Sequence, residues 1–418
     1  MTASKKIAPL LLATAFAALL AAGCRKAPVT EPVETRPRVD IDPRVFQAYT
    51  EFGFDVFQRV ASEKPDSNVV LSPTSLAFGL AMVYNGAGGE TAREMAATLG
   101  ASGLDLEAFN AANAAWLAAL RTPAEGVELA LANSIWIRDR FPVEAEFVQR
   151  NERSFDAEVR RLDFDDPAAV DVINAWAAEE THDRIEEIIQ EIDPLDMLFL
   201  INAVYFLGEW TEPFNMEGTT RGQFTRQGGT PVGIPFMSRR DTIDYFQDDG
   251  YQAIRLPYGD GGRFAMVLLL PARGSSLEAL YRGLDASSWR AALGRLEPTY
   301  LELQLPRFRV EYEKKLNDVL KALGMQTAFD PGRADFSGIN PDPAYDDLHI
   351  SKVLQKTFLQ VNEKGTEAAA VTAVTVSVTS MPSYPIVRFD RPFFLAIHDG
   401  ATDTILFLGQ ITDPEDAD

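Results

Sequence analysis

The sequence predicts an α+β fold, with helices gathered in the first half of the chain and strands in the second. Three observations lead there. Helical spacing is clearest up to Glu180, as in Val45, Phe46, Tyr49, Phe52, Val56, Phe57 and Val60. From Met197 onward strand patterns dominate, starting with MLFLINAVYFL (197–207), whose two faces are both apolar, as suits a strand central to a covered sheet. No second linker or internal repeat divides the 418 residues, so one large domain over 43–418 is expected.

Taken in order, Asp42-Pro43 reads as an N-cap with proline in the first helical turn. A short apolar strand, Val69 to Leu71, meets Ser72-Pro73, which opens a second helix ended by Gly86, Gly88 and Gly89. Glu90 to Leu99 and residues 104–120 are further helices, Val127 to Ile137 a strand, Pro142 to Arg153 a helix and Val159 to Phe164 a strand. Asp166-Pro167 opens a helix through Glu180. Asn202 lies inside the apolar 197–207 strand and must find polar partners there. Strand runs follow at 219–237, 263–270 and 299–312, with short helices at 275–283 and 314–323. The last strands fall at 348–361, 386–389, 393–398 and 404–411.

Residues 1–23 read as an export signal: Lys5 and Lys6 precede an apolar run from Ile7 to Leu20, too short for a comfortable membrane span. Cys24, the only cysteine, excludes an intramolecular disulfide. The stretch LAAGC resembles a bacterial lipobox, with Ala21 where leucine is commonest, and implies cleavage before Cys24 and acylation of its thiol. Each buried methylene of an acyl chain is worth about 0.8 kcal/mol, so several chains anchor stably. Residues 24–42 then form an extended tether rich in Pro, Glu, Thr and Arg. Arg25, in place of an aspartate retention signal, points to the outer membrane, on its periplasmic or its outer side.

The formal charge of −22 drops by two more when Lys5 and Lys6 leave with the signal. Such a chain lacks the basic footprint of a nucleic-acid binder, and a heparin-like activator is not expected either. Three histidines, His182, His349 and His398, are the whole stock. No G-x-S-x-G, H-E-x-x-H or phosphate loop occurs, so neither an enzyme nor a metal or cofactor site is expected.

The stretch from Asn362 to Phe393 needs its own account. After Glu367 it runs to Val387 without a charge. Thr366, Ala368, Ala370, Thr372, Val374, Val376 and Val378 alternate with Glu367, Ala369, Val371, Ala373, Thr375, Ser377 and Thr379, the period of a strand with one apolar face. It reads either as an ordinary amphipathic strand or as a segment that is a loop in one state and an inserted strand in another. Gly365 offers a hinge, and Pro382 and Pro385 bar a central strand just beyond. A long uncharged β-prone loop invites aggregation, and its retention suggests that it is needed.

Six phrases then occur in a recognisable order: NVVLSPTSLAFGLAMVYNGAGGETAREM (68–95), INAWAAEETHDRI (173–185), LINAVYFLGEWTEPF (200–214), LPRFRVEYEKKLNDVLKALGM (305–325), ISKVLQKTFLQVNEKGTEAAA (350–370) and RFDRPFFLAI (388–397). Together they resemble the serpin family over roughly residues 43–414. The resemblance implies a large mixed five-stranded sheet, two further sheets, about eight or nine helices and an exposed reactive-centre loop at about 363–388.

It further implies suicide inhibition of a serine-type, or also a cysteine, protease. The loop is cut as substrate, forms an acyl-enzyme and inserts into the main sheet. Glu363, Gly365, Thr366, Glu367, Ala368, Ala369, Ala370 and Thr372 match the family's hinge. Ser72, Ser75 and Asn202 match its polar cluster below the opening point, with Gln355 where a histidine is usual, so that pH-sensitive opening is not expected. Trp210 matches the tryptophan near the start of insertion, and Arg307 the base that pairs with the hinge glutamate, here Glu363.

Counting from Gly365 places the scissile bond at Thr379–Ser380, and counting back from Phe389 places it at Met381–Pro382. A bond before proline is a poor substrate, which favours the first. Val378, Thr379 and Ser380 suit an elastase-like or subtilisin-like pocket, and the absence of Arg or Lys in the loop between Gly365 and Arg388 excludes a trypsin-like one. The implied partner is a target protease, bound covalently by a monomer prone to loop-to-sheet polymerisation. The alternative is a non-inhibitory surface lipoprotein of the same fold, with a binding or structural role.

Overall fold

The computed structural model describes residues 43–122, 124–366 and 384–415. The signal, the tether with Cys24, and loop residues 367–383 lie outside the described residues. In chain order the first half holds α1 (Pro43–Glu63), β1 (Val69–Leu71), α2 (Pro73–Tyr84), α3 (Gly89–Thr98), α4 (Leu106–Leu120), β2 (Val127–Arg138), α5 (Ala145–Phe155), β3 (Glu158–Leu162), α6 (Ala169–Glu180) and β4 (Leu198–Glu209). The second half adds β5 (Thr220–Thr225), β6 (Pro231–Gln247), β7 (Tyr251–Pro257), β8 (Phe264–Pro271), α7 (Leu277–Arg282), α8 (Ala286–Leu293), β9 (Glu297–Pro306), β10 (Phe308–Lys315), α9 (Asn317–Ala322), β11 (Ile350–Val361), β12 (Gly365–Thr366), β13 (Ile386–Arg388), β14 (Phe393–Asp399) and β15 (Thr404–Ile411).

Local chemistry explains many of the ends. Asp105 caps α4 by accepting from the Ala108 N–H, and Asp285 and Ser288 form a reciprocal capping box on α8. The Asp166 carboxylate accepts from the Ala168 N–H, so Asp166-Pro167 makes a turn and α6 starts only at Ala169. Likewise α5 begins at Ala145 rather than Pro142. The expected run 219–237 is a hairpin, β5 turning at residues 226–230 into β6. The expected run 299–312 is two strands of different sheets, broken at Arg307, and α8 and β7 were not foreseen.

The mixed five-stranded sheet runs β10-β11-β4-β2-β3, with the two-residue β12 added on β4. The other strands form one nine-stranded sheet rather than two separate ones. The 17-residue β6 joins its halves, pairing with β5 and β9 and, by its last residues, with β7.

Both faces of β4 are covered, as its sequence predicts. Leu198, Leu200, Val204 and Phe206 enter the main core, where α2 lies buried along nearly its whole length. Phe199, Ile201 and Ala203 enter a second core under α6 and the segment after it, with Trp136 edge-on to Trp176 and Phe164 stacked on Phe199 at 4.7 Å.

Candidate functional site: the seam between β4 and β11

The centre of the five-stranded sheet is a parallel pair, β11 against β4, from Ile350–Leu198 up to Phe358–Tyr205. Above that point the strands continue to Val361 and Glu209 with no mutual pairs, and the chain leaving β11 turns back into the space between them. Gly365 pairs with Glu209 and Thr366 with Gly208, antiparallel to β4. Two residues of the predicted hinge, Gly365 and Thr366, are thus already seated as a strand.

The turn is tightly specified. The Asn362 side-chain oxygen accepts from the Lys364 and Gly365 N–H groups, and the Asn362 N–H donates to the Gly365 carbonyl at 2.8 Å. Trp210 clamps it from outside: its indole N–H donates to the Asn362 carbonyl at 2.9 Å and its backbone N–H to the Lys364 carbonyl at 2.7 Å. The Phe214 N–H donates to the Glu363 carbonyl, and the buried Glu363 carboxylate accepts from the Thr219 hydroxyl at 2.6 Å, a partner the sequence did not suggest. Half-buried Arg307 sits one step beyond the Phe308–Val361 pair, next to this turn, with its N–H on the Pro235 carbonyl.

Gly365 matters here for close approach. A Cβ at that position would stand 1.9 Å from the Gly208 carbonyl oxygen. Thr366 is fully buried, the inward orientation that the alternation predicts, and its hydroxyl shares a 2.8 Å hydrogen bond with Tyr258. Tyr258 stacks on Trp210 at 4.5 Å. Burial pushes the Tyr258 phenol far above its ordinary value, with the bond to Thr366 opposing, so the phenol stays neutral.

Lower down the seam, all four residues of the expected polar cluster meet, and all are buried. Gln355 and Asn202 face each other in the ladder, and the Gln355 amide donates to the Asn202 side-chain oxygen. Gln355 also grips the Ser72 backbone twice, accepting from its N–H at 2.9 Å and donating to its carbonyl at 2.8 Å. Asn202 donates to the Ser75 hydroxyl and to Asn133. Ser72 stands at the α2 N-cap position, yet its hydroxyl donates to the Leu406 carbonyl instead of capping the helix. Sequence reasoning missed Asn133, although a lone amide in the apolar run of β2 signals the same need for partners as Asn202. Tyr258 and Gly208 were missed as well, because no local pattern ties them to the hinge.

The serpin family model, described as serine protease inhibitor, matches residues 47–414. An uncharacterised serpin-like protein of Thermococcus kodakarensis is 35% identical, with 89% of this chain and 86% of that protein covered. Iripin-2 of Ixodes ricinus is 34% identical, with 88% of this chain and 94% of that protein covered. The native-state structure of tengpin, a thermophilic serpin, superposes with a TM-score of 0.82 at 31% identity, over 90% of this chain and 95% of that one. A human thyroxine-binding globulin structure, complexed with thyroxine, gives 0.81 at 26% identity, over 89% and 99%. A fold with this central sheet, matched by family and relatives over most of its length, leaves one assignment: the chain belongs to the serpin family.

Proposed function

We propose that the protein inhibits serine-type proteases, and cysteine proteases by the same acyl chemistry, by suicide cleavage and insertion of its loop. The observation that carries this reading is the half-filled seam: at its upper end β4 and β11 make no mutual pairs, and hinge residues Gly365 and Thr366 already occupy the space in an antiparallel register. Continued downward, that register sets Thr372 opposite Asn202 and Val376 opposite Leu198. A strand entering there exchanges one parallel interface for two antiparallel ones, which are slightly more stable per residue.

Burying Val374, Val376 and Val378 contributes about 1.5–3 kcal/mol each. Roughly a dozen new ladder bonds add about 0.5–1.5 kcal/mol each. The total is comparable to the ~5–15 kcal/mol that holds a protease domain together, enough to distort its catalytic site. In this reading cleavage falls at Thr379–Ser380, with Met381 the alternative, and the target has an elastase-like or subtilisin-like pocket. Cys24 carries the lipid that holds the inhibitor at the outer membrane.

The test is incubation of the domain 43–418 with pancreatic elastase, subtilisin and trypsin. A complex that survives SDS with either of the first two, and none with trypsin, is the expected result. Cleavage without any stable complex would overturn inhibition. It would favour the second reading, a binding lipoprotein, for which the likeness to a thyroxine-binding globulin speaks.

A further inference from the structure

At the lower end of the seam, Asp196, the second residue before β4, is held from both sides. Its carbonyl accepts from Arg138 Nε at 2.8 Å, and Arg138 belongs to β2. Its buried carboxylate pairs with Lys352 Nζ at 2.8 Å, and Lys352 belongs to β11, across the seam. The Lys352 ammonium also donates to the Glu191 carbonyl at 3.0 Å and sits 4.9 Å from the Phe199 ring centre. Arg138 takes the Pro194 carbonyl and the Asp165 carboxylate as well. The segment entering β4 is thereby tied to β2 on one bank and to β11 on the other. Higher up, Lys356 of β11 donates to the Glu187 carbonyl of the same segment. That segment leaves α6 through His182 and Asp183, two consecutive non-glycine residues with φ of 48° and 62°, a strained exit.

We infer that the Asp196–Lys352 ion pair is the last clasp of the seam, a positioning contact made in the uncut protein and absent after insertion. The inference rests on the insertion reading above. Adjacent strands lie about 4.8 Å apart, so an inserted strand takes β11 away from β4 by that width. The register of β12, carried downward, brings Val378 opposite Asp196, beside the acyl-bearing Thr379. Opening that spreads from the top meets this clasp at the end of its travel. Its strength therefore bears on whether the loop completes insertion before the acyl bond is hydrolysed. Both side chains are largely buried, so parting them is costly in a way that parting a surface pair is not.

The experiment compares wild type, Lys352→Met and Lys352→Arg, each intact and each nicked once in the loop by thermolysin. That enzyme attacks with a zinc-bound water and forms no acyl intermediate to be trapped. The intact Lys352→Met protein should melt lower by on the order of 5 °C, while its nicked form melts as the nicked wild type does. Lys352→Arg, which keeps the charge, should stay near wild type in both forms. With subtilisin, Lys352→Met should bring the number of inhibitor molecules consumed per enzyme trapped closer to one than wild type does.

Equal destabilisation of the intact and nicked forms would overturn the proposal, because the pair would then be an ordinary structural contact. If nicking fails to raise the melting point of the wild type itself, it is the insertion reading that has failed, and the clasp with it. Asp196→Asn cuts the same pair from the other side and gives the same readout should Lys352→Met fold poorly.

Discussion

Thr366 and Tyr258 share a 2.8 Å hydrogen bond, and neither side chain reaches solvent. Tyr258→Phe removes one partner and leaves a buried hydroxyl unpaired, at a cost of about 1–3 kcal/mol. The urea midpoint should fall accordingly, and amide exchange at Thr366 should accelerate as the hinge leaves β4. An unchanged exchange rate would show that Trp210 and the turn hold the hinge without Tyr258.

Gly365→Ala tests the close approach directly. With no room for a methyl group against the Gly208 carbonyl, the two-residue pairing with β4 must break. We expect faster cutting in the hinge by a broad-specificity protease, and more inhibitor consumed per enzyme trapped. A wild-type proteolysis pattern is the contrary result.

Thr366→Arg places a charge in the fully buried Thr366 site, a penalty of several kcal/mol before any valine is buried. Cleavage by elastase or subtilisin should proceed at the same bond and a similar rate, yet release active protease. Glu367→Arg, on the opposite face of the alternation, should keep most of the inhibition. If Thr366→Arg traps enzyme at the wild-type ratio, the loop acts as a simple plug.

Asp403 gives the fold an acid limb. The hydrogen bond from His398 holds its carboxyl below the usual carboxylate range, against desolvation and with help from Arg290. A depressed folded value means stability that is present above the unfolded value and lost as pH falls through the folded one. Melting points measured below about pH 4 should decline more steeply for wild type than for Asp403→Asn. Parallel profiles would remove Asp403 from the account.

Cys24→Ser tests the anchor. The wild type should fractionate with outer membranes and the variant should be released. Equal release of both would end the lipoprotein reading.

Much of this was legible in the sequence because the signals are local. Ser72-Pro73, the glycines after Tyr84 and the two-sided apolarity of β4 each act within a few residues, and the elements they predict are there. The 299–312 run misled although its alternation slips phase at Pro306-Arg307, from Leu301, Leu303 and Leu305 to Phe308, Val310 and Tyr312, where the chain passes from one sheet to the other. Strand period reports exposure and not which neighbour supplies the ladder. The cluster of Ser72, Ser75, Asn202 and Gln355 followed from the family resemblance, whereas Asn133, Tyr258 and Thr219 join the site only through tertiary contacts spanning tens to more than a hundred residues. The clasp between Asp196 and Lys352 belongs to the same class: two ordinary charges, 156 positions apart, whose importance comes from the seam that separates them.

The parallel pairing of β4 with β11 has a consequence for how the molecule is used. A sheet that closes by accepting its own loop has no route back, since reopening would require expelling a strand paired on both edges. Under the insertion mechanism proposed above, each copy would act once, as a titrant rather than a catalyst, and leave the pool with its target. Protection would then rise in step with the number of copies made and end abruptly when they run out. A cell carrying this protein would meet incoming proteolysis with a threshold, set by its own rate of synthesis, and not with a graded equilibrium.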